Sequence, residues 1–186
     1  YLDEGFYKFS NCKFPQFFNL NDSVKILKNF LKAKDTSLKD RKIYVTREDS
    51  SYRKIINESD IVPILRSKGY KVINPQHYSI EEQITIFAQA DKIISPYGSN
   101  LSNIIFCKPG TEIYEVGPKF DNDYEKVFEK RYNNLAKINN LKYYRFVTDT
   151  VPIEQHSSTS KKYINNNILN NSDYYKNLIV KISDIE

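Results

Sequence analysis

Two arginines six residues apart are the first chemistry this sequence offers. In TREDSSYRKIINESD (46–60), Arg47 and Arg53 stand with Lys54 among small hydroxyl residues. A guanidinium donates paired hydrogen bonds to an oxyanion, so two of them on one loop can grip a pyrophosphate. The same spacing also fits an exposed loop whose arginines pair with Glu48, Asp49 and Glu58. A second stretch, SPYGSNLSN (95–103), sets Gly98 between a tyrosine and small polar residues, in a chain with five glycines in all. Glycine there permits a positive φ or a close approach of backbone to ligand. Ser99 and Asn100 suit the capping of a helix that begins near Leu101, and the free N–H groups of such a terminus favour phosphate. An ordinary, well-capped strand–turn–helix connection reads equally from these residues.

The remaining candidates are weaker. Glu115 closes the alternating segment TEIYEV, where a carboxylate can accept ribose hydroxyls or face solvent. Glu82 and Gln83 open a helix, and Glu82 reads first as a cap. His77 and His156 are far apart, so neither a metal site nor a serine–histidine triad has support, and no P-loop, CxxC or HExxH is present. Cys12 and Cys107 form no metal pattern and no disulfide framework. Cys107 ends an apolar run and reads as a small buried hydrophobe.

The elements that must position these residues follow a regular rhythm. KIYVT (42–46), KVIN (71–74), KIIS (92–95), TEIYEV (111–116) and KYYRFVT (142–148) read as strands rich in β-branched and aromatic residues. Between them lie helical patterns: IVPILRSKGY capped by Ser59 or Asp60 with Pro63 in its first turn, a Ser79-x-x-Glu82 capping box ahead of Ile84 and Phe87, LSNIIF, and 123–139. Gly69 stops the first of these. The strand–helix alternation predicts an α/β domain, a Rossmann-like parallel sheet with helices on both faces. In such a sheet ligands bind beyond the carboxyl ends of the strands. That rule selects the loops that start near Arg47, Pro75, Pro96 and Gly117.

Three zones follow: an amino-terminal segment and leading helix over 1–40, the Rossmann-like part over 41–150, and 151–186 as a polar Asn-rich loop with a last helix over DYYKNLIVKIS (173–183). Residues 1–20 are aromatic and without period, and read as a docking segment. The chain begins at Tyr1 and has no methionine, which leads us to expect a piece of a longer protein. Its net charge of +5 and pI near 9.0 suit an anionic partner, but the basic residues are scattered, so nucleic acid is not indicated. No segment approaches the roughly 18 apolar residues of a membrane span, and no signal peptide is visible.

Taken together, residues 42–117 resemble the DUF563-type glycosyltransferases. That family includes plant xylosyl- and arabinosyltransferases, animal O-linked N-acetylglucosaminyltransferases, and bacterial capsule or lipopolysaccharide enzymes. The likeness lies in the order of parts: a strand ending in Arg47, Arg53 before Asn57-Glu58, the SIEEQ helix, a Pro-aromatic-Gly-small-x-Leu-x-Asn turn, then Pro-Gly and a strand ending near Glu115. The resemblance implies the carboxyl-terminal, donor-binding half of a GT-B fold, an inverting reaction from a nucleotide-sugar such as a UDP-sugar, and no metal bridging the diphosphate. It makes Arg47 and Arg53 candidate diphosphate contacts and the Gly98–Asn103 turn, through Ser99, Asn100 and Leu101, a donor cradle. Asn57, Glu58 and Glu115 become candidates for ribose or base. The implied partners are a nucleotide-sugar, a glycan acceptor and a preceding domain of the same enzyme. Asn-x-Ser sequons at Asn57 and Asn100 fall within this site, where a glycan would block the donor, and with the unpaired-looking cysteines they lead us to expect a cytoplasmic protein with at most peripheral membrane association. Where the family has Pro-His-Gly-Ala-Gly-Leu-Thr-Asn, this chain has Tyr97 for the histidine and Asn100 for the second glycine. A Rossmann-like module that binds without catalysis is the alternative that these departures support.

Overall fold

A computed structural model describes residues 20–31, 41–50, 52–120, 123–151 and 176–184. The docking segment expected over 1–20, up to residue 19, and the polar loop over 152–175 lie outside the described residues. Five strands run parallel: β1 (Lys42–Val45), β2 (Lys71–Ile73), β3 (Lys92–Pro96), β4 (Glu112–Pro118) and β5 (Lys142–Val151). A short β6 (Asn177–Ile179) pairs antiparallel with the end of β5, and the sheet order is β2-β1-β3-β4-β5-β6. Helices α1 (Leu20–Phe30), α2 (Glu58–Ser67), α3 (Ile80–Gln89) and α4 (Asp123–Ile138), with a 3₁₀ helix over Ser99–Phe106, complete the frame. The fold is α/β and consistent with one Rossmann-like half of a GT-B enzyme.

The strand order explains where the helices lie. Parallel crossovers are right-handed, so reversing the direction of travel along the sheet moves the connecting helix to the other face. The step from β1 to β2 carries α2, and the return steps through β3, β4 and β5 carry α3, the 3₁₀ helix and α4. Two cores result. One packs Ile43, Val45, Ile93 and Ile113 under Phe87, Leu101, Ile104 and Leu135, with Val24 of α1 joining them. The other packs Tyr44 and Val116 under Ile61 and Leu65 of α2, together with Leu178 and Val180. Each fully buried aliphatic or aromatic side chain contributes about 1.5–3 kcal/mol. Direction reverses between β1 and β3, and that gap is the topological switch point where such sheets bind ligands.

Local departures from the sequence pattern have tertiary causes. The capping box forms, with Glu82 N–H donating to Ser79 Oγ at 3.3 Å and Ser79 N–H donating to Glu82 Oε2 at 2.8 Å. Gly69 ends its helix at φ 81°. α2 starts earlier than a Ser59 or Asp60 cap predicts: its N-cap is Asn57, and Pro63 falls in the second turn. Asn57 makes no capping hydrogen bond, because its side chain donates to Val180 O at 2.8 Å and accepts from Val180 N–H at 3.1 Å. In the described part of the helix expected over 173–183, the chain instead forms β6 followed by a 3₁₀ turn over Ile182–Asp184. Leu178 exchanges backbone bonds of 2.9 Å with Lys54 O and Ile56 N–H, and those bonds, with β5 on the other side, hold this segment extended. Among the described residues no helix is long and apolar enough to cross a membrane.

Candidate functional site at the switch point

The loop after β1 and the turn after β3 meet at the carboxyl edge of neighbouring strands. Gly98 lies at φ 150°, and a Cβ built there would fall 2.6 Å from an Nη of Arg47 and 3.2 Å from its Cζ. The missing side chain is therefore filled by a guanidinium. Arg47 is 9% exposed, which sets a cation at the edge of the core between β1 and β3. The caps expected at Ser99 and Asn100 do not form: Gly98 is the N-cap and the 3₁₀ helix begins at Ser99 itself. Leu101 N–H donates to Gly98 O at 3.0 Å, and the Leu101 side chain is wholly buried beneath the turn.

Arg53 reaches the same place from the other end of its loop. Among the described residues it is one of two non-glycine residues at positive φ (61°), and it is 7% exposed. Its Cζ stands 4.7 Å from the Tyr52 ring centroid and 5.5 Å from that of Tyr97. Tyr97 is itself 4% exposed and meets Phe120 edge-on at 5.7 Å. Arg47, Arg53, Tyr97 and Gly98 are thus the predicted site residues that the fold brings together.

The carboxylates and amides are placed differently. Glu58 accepts from the Tyr44 hydroxyl at 2.5 Å and from Thr46 Oγ1 at 2.8 Å. Burial, with Glu58 beside it, holds the Tyr44 phenol well above its ordinary pKa. Asn57 is engaged by Val180 as described. Glu115 is 2% exposed and accepts from the Tyr143 hydroxyl at 2.5 Å and from Arg145 Nε at 3.0 Å. Burial pushes the Glu115 carboxyl above its ordinary pKa, against the opposing pull of Tyr143 and Arg145. Ser99 is exposed and Asn100 half-buried at the turn. Asn103 Nδ2 donates to Gln83 Oε1 at 3.0 Å. Among the described residues, no three His, Cys, Asp or Glu side chains group as a metal site requires.

Comparison with protein families matches residues 7–114 to Glycosyltransferase 61, more than half of the 186 residues. The chain belongs to the glycosyltransferase 61 family. None of the curated proteins compared matches it. The family match reaches back to residue 7, well ahead of the 42–117 stretch whose motifs carry the resemblance, and it stops just short of Glu115.

Within this glycosyltransferase 61 domain, the crevice is also shaped by residues that the sequence marks only weakly, such as Gln83, or not at all, such as Asn74 and Arg145. Gln83, the last residue of the SIEEQ motif, donates to Pro75 O at 2.8 Å and Tyr78 O at 3.1 Å while accepting from Asn103. One amide thus ties the loop after β2 to the turn after β3. Asn74 Nδ2 donates to Asp49, which joins the loops after β1 and β2. Gly117 leaves room for Arg145, one Nη of which would lie 3.1 Å from a Cβ there. Arg145 also donates to Glu129 at 3.3 Å and to Pro118 O, so it fixes the loop after β4. The parallel register sets Arg145 opposite Glu115. That shared register, an acid and a base at matching positions of β4 and β5, is the signal through which this pair is legible.

Proposed function

We propose that this domain binds the nucleotide-sugar donor, with UDP-sugars the first class to test, for an inverting transfer to a glycan acceptor. The observation that carries the reading is the contact of Arg47 with Gly98 at the β1–β3 switch point. It puts a guanidinium against glycine backbone at one spot in the crevice where α/β sheets take phosphate-bearing ligands. Arg47 and Arg53 serve as the diphosphate contacts and stabilise the charge that develops on the departing nucleotide. The Gly98 to Asn100 backbone lines the cradle, with Leu101 as its anchor. Ribose and base contacts from Asn57, Glu58 or Glu115 would require those side chains to leave the partners they hold here, so we assign them supporting roles.

An inverting transfer needs a base for the acceptor hydroxyl. We assign that base to a facing domain of the same enzyme, and expect these 186 residues alone to bind donor but transfer no sugar. Calorimetric titration with UDP, GDP and CMP tests the reading: one of them binds, and Arg47→Ala weakens it by about 1.5–3 kcal/mol. No binding of any nucleotide overturns the donor assignment, and an unchanged affinity removes Arg47 from the site.

One observation favours a second reading, a module that binds a nucleotide without transferring sugar. Where the family carries a histidine, the Tyr97 ring is packed at 4% exposure and offers no imidazole proton. Nucleotide binding without transfer by the full-length protein, given an acceptor, would select it. We place the protein in the cytoplasm, at most peripherally on a membrane. A glycan on the Asn57-Glu58-Ser59 sequon would break both Asn57 bonds to Val180, and Cys107 is buried and unpaired.

A further inference from the structure

Five side chains from four separate segments form one continuous column across the carboxyl edge. Arg145 Cζ stands 5.3 Å from the Phe120 ring, Phe120 meets Tyr97 at 5.7 Å with planes 76° apart, and Arg53 stands 5.5 Å from Tyr97 and 4.7 Å from Tyr52. Cations within about 6 Å of a ring centroid are attracted by the ring quadrupole, and edge-to-face ring pairs are favoured at such separations. The column is anchored at its base, where Arg145 is fixed by Glu115 at 3.0 Å, by Glu129 at 3.3 Å and by Pro118 O. Its tip is Arg53, held at φ 61°, a conformation that side chains with a Cβ adopt only against a steric penalty.

We propose that Tyr97 is a positioning residue for donor binding. Through its ring the column holds the Arg53 guanidinium in place before a diphosphate arrives, and Phe120 with Arg145 sets the ring from behind. The inference rests on the donor-site reading above and deepens it. An arginine left to rotate loses side-chain entropy when it binds an anion, whereas one already stacked in place loses little, and the difference is gained in affinity. This also gives a reason for tyrosine at the position. A packed phenol ring presents its π-face to Arg53 uncharged at every physiological pH, whereas a histidine there would set a titratable nitrogen beside the guanidinium.

The test is calorimetric titration of inorganic pyrophosphate and of UDP into the full chain, with urea unfolding of each variant alongside. Tyr97→Phe keeps the ring and should bind pyrophosphate within about twofold of the parent, while Tyr97→Leu keeps bulk without the ring and should bind about 3–30-fold more weakly. Phe120→Leu, one step further from the ligand, should weaken binding in the same direction by less, and it serves if Tyr97→Leu fails to fold. With Arg53→Gln already present, Tyr97→Leu should add nothing further, because the two act through one contact that the neutral amide has already removed. Equal affinity for Tyr97→Leu and the parent, equal losses for Tyr97→Phe and Tyr97→Leu, or effects that simply add to Arg53→Gln would each overturn the positioning role and leave the donor-site reading intact. A parent chain that binds neither pyrophosphate nor UDP would overturn the donor-site reading, and the role of the column with it.

Discussion

The two edges of the sheet hold their charge in opposite ways. At the amino edge the ion pairs are exposed: Arg41 and Lys108 converge on Asp91, and Lys92 (2.9 Å) and Lys142 (3.4 Å) on Glu112. At the carboxyl edge Arg47, Arg53 and Glu115 are buried, and the Arg145 side chain is 14% exposed. Exposed pairs gain little, because water already solvates both partners. Buried charges cost desolvation that a partner only partly offsets, so they are weak evidence for stability and stronger evidence for a task. The amino edge leaves its charges in water, and the carboxyl edge buries them beside the β1–β3 switch point.

The sharpest way to break this contrast is to remove one buried partner. Glu115→Leu should cost about 3–5 kcal/mol in urea unfolding, because Arg145 then loses its buried carboxylate and keeps only the more exposed Glu129. Glu115→Gln keeps an acceptor for Tyr143 and should cost less. Pairing Glu115→Leu with Arg145→Met should recover much of the loss, since the two strands are otherwise apolar at that level. If Glu115→Leu were as mild as a surface change, the carboxyl edge would differ from the amino edge in position only.

Glycines give the next contrast. Gly98→Ala adds strain of about 1–3 kcal/mol at φ 150° and also displaces the Arg47 guanidinium. Its effect on nucleotide affinity should therefore be at least that of Arg47→Ala, about tenfold or more. Gly110, on the loop into β4 at the amino edge, also has positive φ (85°), but a Cβ there meets nothing within 4 Å. Gly110→Ala should cost only the left-handed backbone penalty of about 1–2 kcal/mol and leave nucleotide binding unchanged. Equal binding by both variants would show that Gly98 serves the turn and not the arginine.

These comparisons also show what the sequence disclosed and why. The strand–helix rhythm, the Ser79 capping box and the Gly69 stop were legible because local propensity and the final fold agree there. The start of α2 was not, because Asn57 is claimed by Val180, 123 residues away. β6 failed for the same reason, since its extended form rests on Lys54, Ile56 and β5 and not on its own pattern. At the site, Arg47 and Gly98 could be chosen as chemistry-bearing residues, but their contact follows from strand order, which spacing does not encode. Phe120 and Arg145 look like ordinary strand and loop residues until the register aligns Arg145 with Glu115. Spacing finds the residues that act through local geometry, and topology finds those that act through each other.

Acid should separate the two edges by sign. Hydrogen bonding from Arg41, then from Lys108, holds the Asp91 carboxyl at about 2, and Lys92 followed by Tyr114 does the same for Glu112, also at about 2. Both lie below their unfolded values, so the folded state binds fewer protons there, and their support is present above about pH 4 and lost as pH falls toward 2. Glu115 runs the other way. Its carboxyl is raised by burial, so the folded state takes up that proton first, and acidification down to the ordinary carboxylate value favours the fold, with no further gain below it. Urea unfolding at a series of pH values from 6 to 2 should show a small decline at the acid end. Asp91→Asn should flatten that decline, and 0.5 M salt should shrink it because the pairs are exposed. Glu115→Gln should leave the acid-end decline in place and remove the opposing rise above it. A decline that ignores both Asp91→Asn and salt would mean that the acid response lies with buried groups, and the division of labour between the edges would have to be redrawn.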